Sequence, residues 1–215
     1  MRKPAPARNA VRNAVPGSVR IIGGRWRGTR LPVADAPGLR PTSDRARETL
    51  FNWLQPMLPG ARVLDLFAGS GALGLEALSR GASEALLVER EPRLAESLQA
   101  TIERLQAGDA AKLVRADALT FLRAPPHGRF DLVFLDPPFE QELWRATLAL
   151  LPPWLADDAW LYLESPSGNP VDAGPGWRLH REGGSRDARH ALYRRQGDGT
   201  DTLERIPEDD QTSPP

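Results

Sequence analysis

The stretch FDLVFLDPPF, Phe130 to Phe139, begins as an apolar strand and ends in an acid, two prolines and an aromatic ring. Consecutive prolines donate no backbone hydrogen bonds and hold the chain extended and stiff. Such a loop at a strand end can keep acceptors at fixed positions. The Asp136 carboxylate and the Pro137 carbonyl are two of them, and Phe139 offers a flat apolar face. The chemistry that would use this set is attack by the exocyclic amine of a base. That amine is a poor nucleophile, because its lone pair is delocalised into the ring. Acceptors aimed at its two N–H bonds hold the nitrogen in place and favour the pyramidal form that develops during attack. An aromatic face can stack a flipped-out base. No metal or strong base is demanded, since the amine becomes acidic only as the new bond forms.

A second stretch, VLDLFAGSGALGLEAL from Val63 to Leu78, runs an apolar strand into a glycine-rich turn and a helix. Gly69 and Gly71 let backbone approach a ligand, and the helix start offers free N–H groups. The spacing Gly69, Gly71, Gly74 also satisfies the dinucleotide fingerprint, so NAD and S-adenosylmethionine both fit the turn. Asp65 separates them. A dinucleotide places its pyrophosphate at this helix start and would meet a carboxylate there unfavourably. S-adenosylmethionine has no phosphate and carries a sulfonium and an ammonium. Glu89 ends the next strand, where a carboxylate can accept from both ribose hydroxyls. Asp117 follows the third strand and can accept from an adenine amino group. Three acids at three successive strand ends converge on one crevice in an open parallel sheet. Phe67, Arg90 and Ala118, beside them in the chain, complete the expected cofactor set, and Asp136 faces the methyl.

The elements that must position these residues follow from punctuation and periodicity. Val19–Ile22 and Leu31–Val33 read as a short hairpin around Gly23-Gly24. Thr42 or Ser43 can cap a helix through Arg47, Leu50, Phe51 and Leu54 that stops near Pro56. From Val63 the pattern alternates: strands at Val63–Phe67, Ala85–Val88, Lys112–Val114, Leu132–Leu135 and Trp160–Leu163, with helices at Ala72–Ser79, Pro92–Leu105, Ala118–Leu122 and Glu142–Leu150. That spacing predicts a parallel sheet with helices on both faces. Trp177–Arg181 and His190–Arg194 lack an intervening helix and read as an antiparallel hairpin at one edge. Four segments result: a disordered basic arm over 1–17, an RNA-binding extension over 18–58, a catalytic domain over 59–196, and a disordered acidic tail over 197–215.

Net charge is zero over 215 residues, but Met1–Arg47 holds eleven Arg or Lys against Asp35 and Asp44, a local +9. Asp198–Pro215 holds six acids against Arg205, a local −5. A basic block of this size fits nucleic acid or another polyanion. Arg25, Trp26, Arg27 and Arg30 place an aromatic among arginines, and Arg40, Arg45 and Arg47 follow; arginine both pairs with phosphate and stacks on bases. Cysteine is absent, which excludes disulfides, thiolate metal sites and a thiol nucleophile. No apolar run reaches membrane-spanning length and no signal-peptide core is present. The expectation is a cytoplasmic monomer that binds neither membrane nor metal.

The two motifs resemble those of class I S-adenosylmethionine-dependent methyltransferases that methylate amines. The segments RIIGGRWRGTRLP, GLRPTSDRARETLFNWL and LDLFAGSGALGLEALSRGA closely resemble the RsmD family, over roughly Val19 to Leu163. Its members methylate N2 of a guanine in bacterial 16S ribosomal RNA. The resemblance implies a seven-stranded Rossmann-like fold with a small N-terminal extension. It implies cofactor contacts at Asp65, Gly69, Gly71, Glu89 and Asp117, and base contacts at Asp136, Pro137 and Phe139. Arg40, Thr42, Asp44 and Arg47 match an arginine-rich segment near the family's active site. The last strand departs from the family pattern: GGSRDARHALYRR keeps Tyr193 but carries Arg, Asp and His where apolar residues are expected. The competing classes are an amino methyltransferase acting on DNA adenine or protein glutamine, and a non-catalytic nucleic-acid binder on the same fold. The first shares the cofactor chemistry; the intact acids argue against the second.

Overall fold

The computed structural model describes residues 17–33, 44–139 and 142–196. Its first elements are the antiparallel pair β1 (Gly17–Arg20) and β2 (Arg30–Val33), followed by helix α1 (Asp44–Leu54). Strands and helices then alternate: β3 (Arg62–Asp65), α2 (Ala72–Ser79), β4 (Glu84–Glu89), α3 (Pro92–Arg104), β5 (Ala111–Arg115), α4 (Ala118–Arg123), β6 (Phe130–Leu135) and α5 (Trp144–Leu150). The long β7 (Leu155–Pro166) and the hairpin β8 (Trp177–Gly184) and β9 (Ala188–Arg195) finish the fold. Residues 1–16 of the basic arm, the acidic tail, the Thr42/Ser43 cap, Asp35 and Arg40 lie outside the described residues, while Gly17, the last residue of that arm, opens β1.

The main sheet has seven strands in the order β5-β4-β3-β6-β7-β9-β8, parallel through β7, with β9 antiparallel to both its neighbours. The expected α/β class and edge hairpin are therefore present. The chain leaves β3 towards one edge and returns at β6 to run towards the other. Ligands of open α/β sheets bind at that reversal, outside the carboxyl ends of the strands.

Alternation along the strands divides the core in two. Val63, Leu87, Phe134, Tyr162 and Leu192 face α1, α2, α3 and the N-terminal hairpin. Leu64, Leu86, Val133, Leu161 and Ala191 face α4 and α5. Residues two positions apart point to the same face. The first face therefore also carries Asp65, Glu89, Asp136, Glu164 and His190 at the carboxyl ends of β3, β4, β6 and β7 and at the adjoining end of β9.

The extension shares the core of the sheet. Ile21, Leu31, Leu50, Phe51 and Leu54 are fully buried in the same cluster as Val63 and Phe134. The fastening is polar. Glu76, in the middle of α2, has no solvent exposure; its carboxylate accepts from the N–H groups of Ile22 (2.6 Å) and Gly23 (2.8 Å) and from Arg80 Nε (2.7 Å). Ser79 accepts from the Trp26 N–H at 3.0 Å and donates to the Gly23 carbonyl at 2.6 Å.

Boundaries shift from the expected ones for local reasons. Glu142 has φ 47°, outside the helical region, so α5 starts at Trp144. β7 begins at Leu155 in the polar run LADDA, which hides it from a search for apolar residues, and its pairing with β6 is irregular there.

Candidate active site

The turn after β3 has the backbone its glycines allow. Gly69 and Gly71 have φ of 53° and 77°, which disfavours other residues. Gly74, one turn into α2, is needed for space: a Cβ there would lie 2.2 Å from Leu87 Cδ2. This close approach lets the Gly74 N–H donate to Asp65 Oδ2 at 3.1 Å. Asp65 is 2% exposed. Burial pushes its pKa from 3.8 to about 7, with Glu89 adding to the rise and N–H groups of Gly74 and Phe67 opposing it.

Glu89, also buried, bridges two loops. Gly69 N–H donates to one carboxylate oxygen at 2.8 Å and Glu91 N–H to the other at 2.7 Å. The residue expected to hold ribose thus first holds the glycine turn. Each carboxylate oxygen keeps a further lone pair. Asp117 caps α4 by accepting from the Thr120 N–H at 3.0 Å, while Ala118 is buried and Arg90 exposed. Phe67 is half-buried against the second core cluster.

Asp136 follows β6 on the Asp65 face. It is half-buried. Burial raises its pKa well above the ordinary carboxylate value, and the charges of Glu164 and Asp65 raise it further. Pro137 is buried and Pro138 exposed. Phe139 is half-buried, its ring centroid 5.7 Å from that of Trp144. Trp144 Nε1 donates in turn to the Glu164 backbone carbonyl at 2.7 Å.

Sequence reasoning missed Glu164, Tyr162 and His190. The Tyr162 hydroxyl donates to Glu164 Oε2 at 2.8 Å, and burial with that negative neighbour raises its pKa. His190 lies opposite Glu164 in the β7–β9 register; burial lowers its pKa and Glu164 opposes the effect. The unexpected histidine of the last strand therefore faces inward, its ring 5.9 Å from Trp53. Arg189 pairs with Glu182 at 2.8 Å, which accommodates a second unexpected residue.

The expected RNA contacts divide. Arg25, Arg27, Arg30 and Arg45 are exposed. Trp26 is half-buried against the core, with the Arg25 guanidinium 3.9 Å from its ring centre. Arg47 needs correction. It is 1% exposed, donates to the Arg20 carbonyl and to Asp44 (both 2.7 Å), and lies 4.0 Å from Glu76. It cannot reach a phosphate in this structure. Thr42 and Arg40 lie outside the described residues.

Elsewhere a hollow of about 340 Å³ opens between Met57, Gly60, Asp131, Asp158 and Trp160, at the opposite ends of the strands from these acids. Among the described residues no group of three His, Asp or Glu is arranged to hold a metal ion, and no helix is long and apolar enough to cross a membrane.

A family described as "Conserved hypothetical protein 95" matches residues 19–194. A relative from Escherichia coli (strain K12), named Ribosomal RNA small subunit methyltransferase D, is 48% identical over 188 residues, 85% of this chain and 93% of its own. The Haemophilus influenzae protein of the same name is 42% identical over 183 residues, 82% of this chain and 94% of its own. A solved structure described as "Putative methyltransferase yhhF from Escherichia coli" superposes with a TM-score of 0.77 at 44% identity, covering 84% of this chain and 99% of that one.

Proposed function

The chain belongs to the RsmD family, and on that premise we propose that it transfers a methyl group from S-adenosylmethionine to the N2 amine of a guanine in 16S ribosomal RNA. One observation carries the reading: Asp65, Glu89 and Asp136 share one face of the sheet at the topological switch point, beside the Asp-Pro-Pro-Phe loop. Burial raises the pKa values of Asp65 and Asp136, and neighbouring carboxylates raise them further. A ligand with two positive centres relieves that cost; a pyrophosphate would add to it. The residues therefore fit S-adenosylmethionine, which supplies a methyl group made electrophilic by its sulfonium.

Asp65 would draw the cationic end of the ligand to the turn. Glu89 would use its remaining lone pairs for ribose while holding Gly69, with Arg90 and Phe67 beside it. Asp117 would serve the adenine from its place before Ala118. Asp136 and the Pro137 carbonyl would receive the two N–H bonds of the guanine amine, and Phe139 would carry the base on its free face, with Trp144 behind it. Arg25, Arg27, Arg30 and Arg45 would hold the RNA backbone. The enzyme would act in the cytoplasm on ribosomal RNA or an assembling small subunit.

The deciding experiment maps modified nucleotides in ribosomal RNA from cells lacking the protein, with and without complementation. Loss of one N2-methylguanine in 16S RNA, restored by the parent and not by Asp136→Ala, is expected. An unchanged 16S map would overturn the substrate assignment.

A further inference from the structure

The sheet is bare on one flank. On the face that carries Asp65, α1 is the last helix, and its Trp53 ring reaches only to His190 on β9 and the Gly183 position on β8. Beyond that, β8 is exposed along most of its length. It is an edge strand, paired with β9 alone. The register fixes which side chains occupy the bare face, since residues directly opposite each other point the same way. Trp160, Arg194 and Arg178 form one row across β7, β9 and β8, and Tyr162, Leu192 and Arg181 form the next. Trp160, Tyr162 and Leu192 pack with the α1 side of the core, so both rows lie on that face. The irregularity between Leu179 and Arg181 brings His180 to it as well, with its ring 4.9 Å from that of Trp160. The Arg194 guanidinium lies 5.7 Å from the centre of the Trp160 ring. Trp160 is half-buried, while Arg178, Arg181 and Arg194 are exposed.

The fold does not account for these three arginines. Arg189, on the other face, pairs with Glu182 at 2.8 Å. Among the described residues no acid pairs with Arg178, Arg181 or Arg194. Arg178 and Arg194 stand directly opposite each other, and like charges so placed destabilise a strand pair. A polyanion lying on the face relieves that repulsion. Resting on the methyltransferase reading, we propose that this face is a second RNA-binding surface, where Arg178, Arg181 and Arg194 hold phosphates and Trp160 with His180 offers rings to a base. It lies on the opposite side of α1 from the N-terminal extension, which docks on α2 and on Arg47. Basic charge thus flanks α1 on both sides. Arg194 stands four residues along β9 from His190, roughly 13 Å from the crevice end of that strand. The surface therefore holds RNA without touching the reacting groups. Asp131 and Asp158 line the hollow beside Trp160 and bound the surface at its far end, so RNA enters across the free edge of β8.

Filter binding of a 16S RNA transcript to the full chain at several salt concentrations tests this. Replacing Arg178, Arg181 and Arg194 together by alanine is expected to lower the salt slope by about two to three. Between about 50 and 200 mM salt the parent should then lose roughly 20- to 40-fold more affinity than the triple variant. Melting temperature and S-adenosylmethionine affinity should stay parental, because all three side chains are exposed. Arg123→Ala controls for net charge: this arginine is exposed on α4, which packs on the other face. Its slope should match the parent's. A parental slope in the triple variant overturns the second surface, and so does an equal loss per arginine in Arg123→Ala. The chain's own acidic segment, Asp198–Pro215, is the other occupant of suitable charge. Changing its six acids to amides separates the two. If the triple substitution lowers the slope only once those acids are gone, the face holds that segment and not RNA. If Arg25→Ala lowers the slope and the triple substitution never does, the second surface falls and the RNA methyltransferase reading stands. If the parent does not bind the transcript at all, that reading falls and the second surface with it.

Discussion

Asp65 holds its acid in the crevice with a pKa of about 7 in the folded protein against 3.8 ordinarily. A carboxyl raised on folding binds its proton more tightly in the folded state, so ionisation there costs stability. The cost is absent below pH 4 or so and grows as pH rises to about 7, reaching about 4 kcal/mol for a shift of this size. The ligand-free protein should therefore melt at a higher temperature near pH 5 than near pH 8. Asp65→Asn should flatten that dependence, since its amide oxygen can still accept from Gly74; melts across the range check both. The loop after β6 answers to a different assay. Asp136→Ala should slow methyl transfer on the order of 100-fold or more in a folded protein. Phe139→Ala should slow it roughly 5- to 150-fold, the equivalent of a stacking loss of about 1–3 kcal/mol, while Phe139→Tyr stays active. If Phe139→Ala instead lowers melting temperature and cofactor affinity and leaves the rate intact, the ring serves Trp144 and not a base. Asp65 was legible because it interrupts an apolar run, and Glu89 and Asp136 because each closes one. Glu164 and His190 were not, because their meeting depends on β9 inserting between β7 and β8. Arg47 was misread although its signal was present: the spacing Arg47, Leu50, Phe51, Leu54 puts it on the buried stripe of α1.

At the scale of elements, α2 decides most. Every residue from Leu73 to Ser79 is buried, because the sheet covers one side and the N-terminal hairpin the other. An apolar helix interrupted by one glutamate was visible in the sequence, but the partners of Glu76 lie more than fifty positions upstream. Gly74 sets how closely α2 approaches β4. Alanine would gain about 1 kcal/mol of helix propensity, against about 1–3 kcal/mol for overpacking, and its methyl group would meet Leu87 at 2.2 Å. Gly74→Ala should therefore melt below the parent and bind cofactor more weakly, because the helix carries the N–H that holds Asp65. A melting temperature at or above the parental value would show that Leu87 can move aside. The parallel core was readable because apolar strands alternate with helices, and β3, β4 and β6 each end at or beside an acid. β7 was readable only in its apolar half.

Over the whole molecule, basic charge sits on the extension and acidic charge in the crevice. RNA affinity should be largely electrostatic and fall with salt. Replacing exposed Arg25 or Arg27 by alanine should lower the salt slope by about one each, and removing residues 1–17 should flatten it further, both without changing cofactor affinity. Arg47→Ala should leave that slope nearly unchanged and destabilise the fold, since it empties a buried site and removes the bonds to the Arg20 carbonyl and Asp44; filter binding at several salt concentrations, paired with melts, separates the two classes. The hold of Glu76 on Ile22 and Gly23 has one more consequence, in time. The chain is made from its N-terminus, so the basic hairpin leaves the ribosome 54 positions ahead of the residue that fastens Ile22. At about 5–20 residues per second that is a delay of about 3–11 seconds. During it the arginine-bearing turn is an unanchored cationic segment beside the ribosome's own RNA, and docking onto α2 ends that exposure.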